Sequence, residues 1–386
     1  MSLVKYKKRK ETNCEKWDGL KDIYGQEDLL ALWVADMDFQ VPDCVTEALH
    51  AYVEHGVFGY YKTPDSYYDA FIDWEKTHHG YEVQRDWIRF SPGVVSAFNW
   101  IVNFMTKPGD AVIVNTPVYY PFLNAVKDNH RTLITSDLAN TDGKYNIDFE
   151  DFENKVIEHN VKLFILCSPH NPVGRVWSKE ELTTLLDICR KYGVFVIADE
   201  IHHDLTYGEA KHIPALSVGD YDDIMFLLTA PSKTFNLAAC QNSIIVIPDE
   251  KLRCKWDAFT QPLHVTNGSA FGYVAAEAAY KYGLEWHEEA KQIVYDNYQW
   301  MKQTFHDHLP NVVVSPLEGT YLAWIDMGHY IKPEDMVDFM QNKCGLAFDY
   351  GDWFGGDRFK TFIRMNLATS KENIEIAVRR IIQNLT

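Results

Sequence analysis

Apolar positions along the chain follow two rhythms. Short, nearly unbroken apolar runs rich in β-branched residues recur at 111–114, 163–167, 194–198, 224–228 and 243–247. Most are too short for helices and too continuously apolar for strands wetted on one face, which predicts strands buried on both sides. Stretches with helical spacing lie between several of them. Ser178 followed by Glu181 has the form of a capping box, and Leu182, Leu185, Leu186 and Cys189 carry on an apolar face. A further helix is predicted over 96–105, after the turn-forming Ser91-Pro92-Gly93. Repetition of strand, helix, strand predicts an α/β fold: a mainly parallel sheet flanked by helices, with its ligand beyond the carboxyl ends of the strands. Later in the chain, 315–321 reads as a turn entering a strand at 322–325, and 335–340 as part of a helix.

Each predicted strand runs into residues that can do chemistry. After 111–115 come Thr116-Pro117-Val118-Tyr119-Tyr120; after 163–167, Ser168-Pro169-His170-Asn171-Pro172-Val173-Gly174. Asp199-Glu200-Ile201-His202 follows 194–198, and Pro231-Ser232-Lys233 follows 224–230. One such strand end is ordinary in any α/β protein. Together they bring a lysine, an acid, an amide and an aromatic to one sheet edge, where a desolvated charge is costly unless something pairs with it.

Composition narrows the choice of ligand. With 386 residues, 46% of them apolar, the chain has material for one large domain and one small one. A formal net charge of −18 works against nucleic acid or an anionic membrane as partner. The basic run from Lys5 to Lys10 is short and reads as a solvated arm. No apolar run approaches the roughly 18 residues that span a bilayer, and the start of the chain lacks the apolar stretch of a secretory signal, so a cytoplasmic protein is expected. The seven cysteines are scattered and never form a Cys-x-x-Cys pair, which predicts core residues rather than disulfides or zinc. His78-His79 and His202-His203 are adjacent pairs rather than i, i+4 pairs on one helix face, so no metal is expected.

An amine, an acid, a donor to a phenolate, an aromatic face and a phosphate cradle are what pyridoxal 5′-phosphate (PLP) asks of a protein. Lys233 offers the amine and Asp199 a partner for the pyridine nitrogen. Gly93 and the helix start after it offer free N–H groups for a phosphate, glycine letting the backbone approach closely. Asn171-Pro172-x-Gly174, then Asp199-Glu200, then Ser232-Lys233 resembles the ordered signature of the fold-type I, class I and II aminotransferases, and the resemblance covers essentially the whole chain. Trp33-Val34-Ala35-Asp36-Met37-Asp38-Phe39, the stretch from Asp199 to Leu205, Phe58-Gly59-Tyr60 and the stretch from Ser232 to Ala238 resemble one branch of it, the cystathionine β-lyase group of carbon–sulfur lyases.

The resemblance implies that Lys233 holds PLP, Asp199 pairs with the ring nitrogen, and Asn171 and His202 bind the phenolate oxygen. It implies that Tyr119 stacks on the ring, that Gly93, Val94 and Ser232 hold the phosphate, and that Tyr60 reaches it from the neighbouring subunit of a homodimer. Arg364, in Ile363-Arg364-Met365-Asn366-Leu367, resembles the arginine that clamps the substrate α-carboxylate, a role that suits a rigid guanidinium fork; Asn171 belongs to the same substrate site. A large PLP-binding domain over 48–279 and a smaller α+β domain from 1–47 and 280–386 are implied as well. One departure stands out: Ala238-Ala239-Cys240 occupies the place where the group has Ala-Gly-Leu, with Cys240 read as a packed thiol.

The activity implied is elimination of a thiol from an S-substituted cysteine such as cystathionine, leaving pyruvate and ammonia. Two other readings stay open. An aminotransferase acting on an L-amino acid and a 2-keto acid shares every step up to the carbanion, and no motif separates the two; the lyase-like flanking segments favour elimination. A regulator that uses the fold to meet a protein partner is the third.

Overall fold

The computed structural model describes residues 2–385. Seven strands make the central sheet: β1 (Ile88–Ser91), β2 (Ala111–Thr116), β3 (Thr132–Asp137), β4 (Leu163–Cys167), β5 (Phe195–Asp199), β6 (Met225–Thr229) and β7 (Ser243–Val246), in the order β1-β7-β6-β5-β4-β2-β3. All run parallel except β7, which is antiparallel to both neighbours. Successive residues of the middle strands enter separate cores on opposite faces. Phe164 and Leu166 of β4 join one, and Leu163, Ile165 and Cys167 the other. That two-sided burial is what the unbroken apolar runs encode.

The helix Lys179–Tyr192 shows how local sequence sets an element's bounds. The Ser178 hydroxyl accepts from the Glu181 backbone N–H at 3.2 Å, and the Glu181 carboxylate accepts from the Ser178 N–H at 2.8 Å. Gly193 closes the other end in the left-handed region, φ 69°. The helix after Gly93 spans Val94–Met105, beginning two residues before the predicted start.

A second, antiparallel sheet is built from β8 (Val313–Val314), β9 (Leu322–Asp326), β10 (Asp349–Tyr350) and β11 (Phe362–Asn366), in the order β8-β9-β11-β10. Its register sets Arg364 between Trp324 and Asp349. The helices Leu284–His308 and Lys371–Leu385 pack together in the same half of the chain. Near the start, Leu30–Ala31 pairs in parallel with Leu346–Ala347, tying the beginning of the chain to its later part. The helix predicted over 335–340 is subdivided: a 3₁₀ turn Pro333–Asp335, one α turn Met336–Asp338 and a π turn Phe339–Lys343. Among the described residues, no helix is long and apolar enough to cross a membrane.

Candidate active site

The sheet register decides which side chains meet. Asp199, last in β5, lies level with Cys167 of β4 and Leu228 of β6, so the loops that follow these strands leave the same edge. Because β7 is reversed, its first residue Ser243 pairs with Ser91, the last of β1, at that edge too. The edge opens into a cavity of about 170 Å³. Gly93, Val94, Tyr119, Asn171, Asp199, His202, Ser232 and Lys233 all line it. Residues far apart in sequence thus share one small space.

Burial sets the electrostatics of this space. Asp199 is 4% exposed, and burial pushes its carboxyl up to about 7, against the pull of a 3.1 Å hydrogen bond from the Ile201 N–H and of Lys233. Burial likewise brings the Lys233 amine down to about 8, with Arg364 adding to the effect and Asp36 and Asp199 opposing it. Lys233 Nζ donates to the Ala35 carbonyl at 2.5 Å. His202 is held neutral by burial and by the nearby cations Lys233 and Arg364, and its buried Nδ1 has no hydrogen-bond partner. Burial raises the Tyr119 phenol, which stays neutral.

Gly93 leaves the space beside its Cα open to the cavity. Its φ of −173° is extended backbone that any residue adopts, and a Cβ there would meet nothing within 4 Å. The backbone does not need glycine; the cavity keeps the volume a side chain would fill. The first turn of the helix Val94–Met105 has no side-chain cap, leaving N–H groups free beside that volume. Asn242 also lines the cavity, and its Nδ2 is buried and unpaired while its Oδ1 accepts from the Tyr67 hydroxyl at 2.8 Å. Unpaired donors on a wall with a buried acid and an amine fit PLP, whose ring nitrogen, phenolate and phosphate would satisfy them.

Arg364 is 1% exposed and does not itself border the cavity, but reaches it through Asn171, whose Oδ1 accepts from Nη1 at 3.1 Å. Nη2 donates to the Trp33 carbonyl at 3.2 Å and pairs with the buried carboxylate of Asp349. Asp349 was not foreseen in the sequence; its two-residue strand β10 carries no periodic signal. Tyr60 lies elsewhere, exposed on the surface and outside the cavity of its own chain.

The segment 33–39 acts as a strap over the site. Asn236 Oδ1 accepts from the Met37 N–H at 3.0 Å, and its Nδ2 donates to the Met37 and Phe39 carbonyls at 2.9 and 3.0 Å. Asn366 Nδ2 donates to the Val34 and Asp36 carbonyls, at 2.7 and 2.6 Å, and the Tyr321 hydroxyl to Ala35 at 2.9 Å. Buried Lys16 pairs with Asp38 at 2.9 Å and Arg9 with Asp36 at 2.6 Å. Motifs two hundred residues apart are therefore one physical object. Ala238 borders the cavity, so the departure at 238–240 lies at its rim, with Cys240 half-buried.

A mainly parallel sheet that gathers a buried acid and an amine of lowered basicity beyond its carboxyl edge defines an α/β enzyme working on a small, charged ligand. The chain belongs to the aminotransferase class I and II family, whose model matches residues 27–381. It is 39% identical to the cystathionine beta-lyase PatB of Bacillus subtilis over 99% of both chains, and 30% identical to protein MalY of Escherichia coli over 97% of this chain and 96% of that one. Among solved structures, cystalysin from Treponema denticola, with its PLP cofactor, superimposes with a TM-score of 0.95 at 35% identity, covering 100% of this chain and 98% of that one. A PLP-bound putative aminotransferase from Clostridium difficile does so with 0.96 at 37% identity, covering 100% and 99%.

Proposed function

We propose that the protein is a PLP-dependent carbon–sulfur β-lyase, converting an S-substituted cysteine and water to a thiol, pyruvate and ammonia. The PLP chemistry rests on the enclosure of Lys233 and Asp199 in one cavity beside the unpaired Nδ1 of His202, and elimination rests on the likeness to cystathionine beta-lyases. When bound, PLP supplies an electron sink for charge developing at the substrate Cα. In this reading Lys233 holds the cofactor, Asp199 pairs with its ring nitrogen, and Asn171 and His202 with its phenolate oxygen. Tyr119 covers the ring, while Gly93, Val94 and Ser232 hold the phosphate.

Arg364, steadied by Asn171 and Asp349, would bind the substrate carboxylate and turn the Cα–H towards Lys233. Once the substrate amine has taken its place on the cofactor, the freed Lys233 amine, lowered to about 8, has a useful neutral fraction near neutral pH and takes the Cα proton. The sulfur leaves Cβ with the electrons of the C–S bond and picks up a proton, and the enamine left behind is hydrolysed to pyruvate and ammonia. The similarity to PatB over nearly the full length supports elimination.

Tyr60 would reach the phosphate from the partner of a homodimer. The exposed Val53, Val57, Phe58 and Phe271 around it give such a partner an apolar surface to cover. The same reading keeps 48–279 as the cofactor-binding domain and 1–47 with 280–386 as the smaller one, and places the protein in the cytoplasm.

The likeness to a putative aminotransferase keeps transamination as the second reading. Incubating the holoenzyme with cystathionine decides between them. Equal amounts of thiol and pyruvate without added keto acid are expected; amino transfer seen only when a 2-keto acid is supplied would replace the lyase reading.

A further inference from the structure

Behind the candidate active site, three elements bring a second set of titratable side chains together. The helix Asp65–Trp74 ends in a π turn, Glu75–His79, whose first and last residues face the loop that follows β5. Glu75, His79 and His203 each turn one ligand-type atom into the same space, all within 4.8 Å of one another. Adjacent histidines cannot share a ligand set from one helix face, which is why the sequence predicted no metal; the fold takes one histidine from each pair.

The separation of Glu75 from His203 is close to that of a coordination shell. Bonds of about 2.0–2.2 Å at tetrahedral angles put zinc ligands roughly 3.3 Å apart. His203 Nε2 is 3.7 Å from Glu75 Oε1 and 3.0 Å from Asp204 Oδ2, and His79 Nε2 is 2.8 Å from Asp204 Oδ1. Asp204 holds both rings and is itself anchored by Trp74 Nε1 and by the Thr234 hydroxyl, at 2.9 and 2.6 Å. Glu75 is 3% exposed, yet its Oε1, aimed at His203, has no hydrogen bond. A cleft bordered by His79, His203 and Asp204 gives an ion a way in.

The geometry points to a site for a divalent transition ion of the zinc class, with Glu75, His79 and His203 as ligands, the ion taking the ring nitrogens that Asp204 holds without it. Two imidazoles and a carboxylate are the donor set such an ion takes. The ion joins the π turn to the loop carrying His202 and, through Asp204 and Thr234, to the residue after Lys233. It is structural and lies outside the elimination reaction.

The test uses untagged holoenzyme stripped with a chelator, then dialysed against buffered zinc chloride, with metal measured by mass spectrometry. One zinc per chain is expected, and Glu75→Gln and His79→Gln should each weaken binding at least about 10-fold. Less than half an equivalent in the wild type, or unchanged affinity in folded variants, overturns the proposal. Cobalt(II) titration of the unmodified protein decides if the variants do not fold. Intense visible bands of a tetrahedral nitrogen and oxygen site support it. Weak octahedral bands, or thiolate charge-transfer bands from a cysteine, overturn it.

Discussion

Asp199 should make the cofactor-free protein less stable than it need be. Its carboxyl moves from an ordinary 3.8 to about 7 on folding, because burial opposes its charge. A raised acid pKa means that the folded state keeps a proton the unfolded state has lost. The penalty is absent below pH 3.8, grows through the window up to about 7 and is complete above it. At about 1.4 kcal/mol per unit it comes to roughly 1.5 kcal/mol at pH 5 and roughly 4 kcal/mol at pH 8. Asp199→Asn removes the charge and keeps the shape. For 386 residues the unfolding entropy is about 0.8 kcal/mol/K, so the variant's midpoint should rise about 2 °C at pH 5 and about 5 °C at pH 8. Loss of the Asp199 attraction to Lys233 trims the figure at pH 8. The assay is a pair of thermal melts on protein freed of PLP, with cystathionine turnover measured on the reloaded variant. A variant no more stable than wild type at pH 8, or a difference that does not change with pH, would refute the reasoning. So would full activity in the loaded variant, since the negative charge would then have no use.

Other consequences are as direct. Capture of PLP by the cofactor-free protein needs the neutral Lys233 amine, so its rate should rise nearly tenfold per pH unit below about 8 and level off above it; a profile flat from pH 6 to 8 contradicts this. Gly93→Ala should fold with an unchanged melting midpoint, because the added Cβ meets no atom, yet bind PLP more weakly in equilibrium dialysis. Arg364→Lys should raise KM for the amino-acid substrate by about 10- to 100-fold, the forked pair with a carboxylate being lost, while kcat falls less. Asn236→Gly keeps a left-handed φ of 59° available but removes three hydrogen bonds to the strap. At about 1 kcal/mol each, it should cost roughly 3 kcal/mol in denaturant unfolding.

What the sequence revealed follows from burial. The central strands were legible because both their faces are dry, and the helix after Ser178 because its cap is written in adjacent residues. The strands β1 and β3 escaped notice: Ile88–Ser91 and Thr132–Asp137 lie at the two sheet edges and mix polar with apolar positions. The same division runs through the site. Side chains at the ends of the dry strands could be read in advance. The Ala35 carbonyl could not, being a backbone atom brought over by tertiary folding, nor could Asp349, nor the union of His79 with His203.

The strap has a bearing on how the protein comes into being. Its carbonyls at Trp33, Val34 and Asp36 wait for Arg364 and Asn366, more than three hundred residues later in the chain. Leu32 and Asp38 likewise bond to the backbone of Asn366 and Ala368. During synthesis Asn236 can catch the strap at Met37 and Phe39, and Tyr321 can catch it at Ala35, but its fastening is completed only after residues near 368 have left the ribosome. A chain cut short before that point would lack the bonds from Arg364, Asn366 and Ala368 that complete the closure.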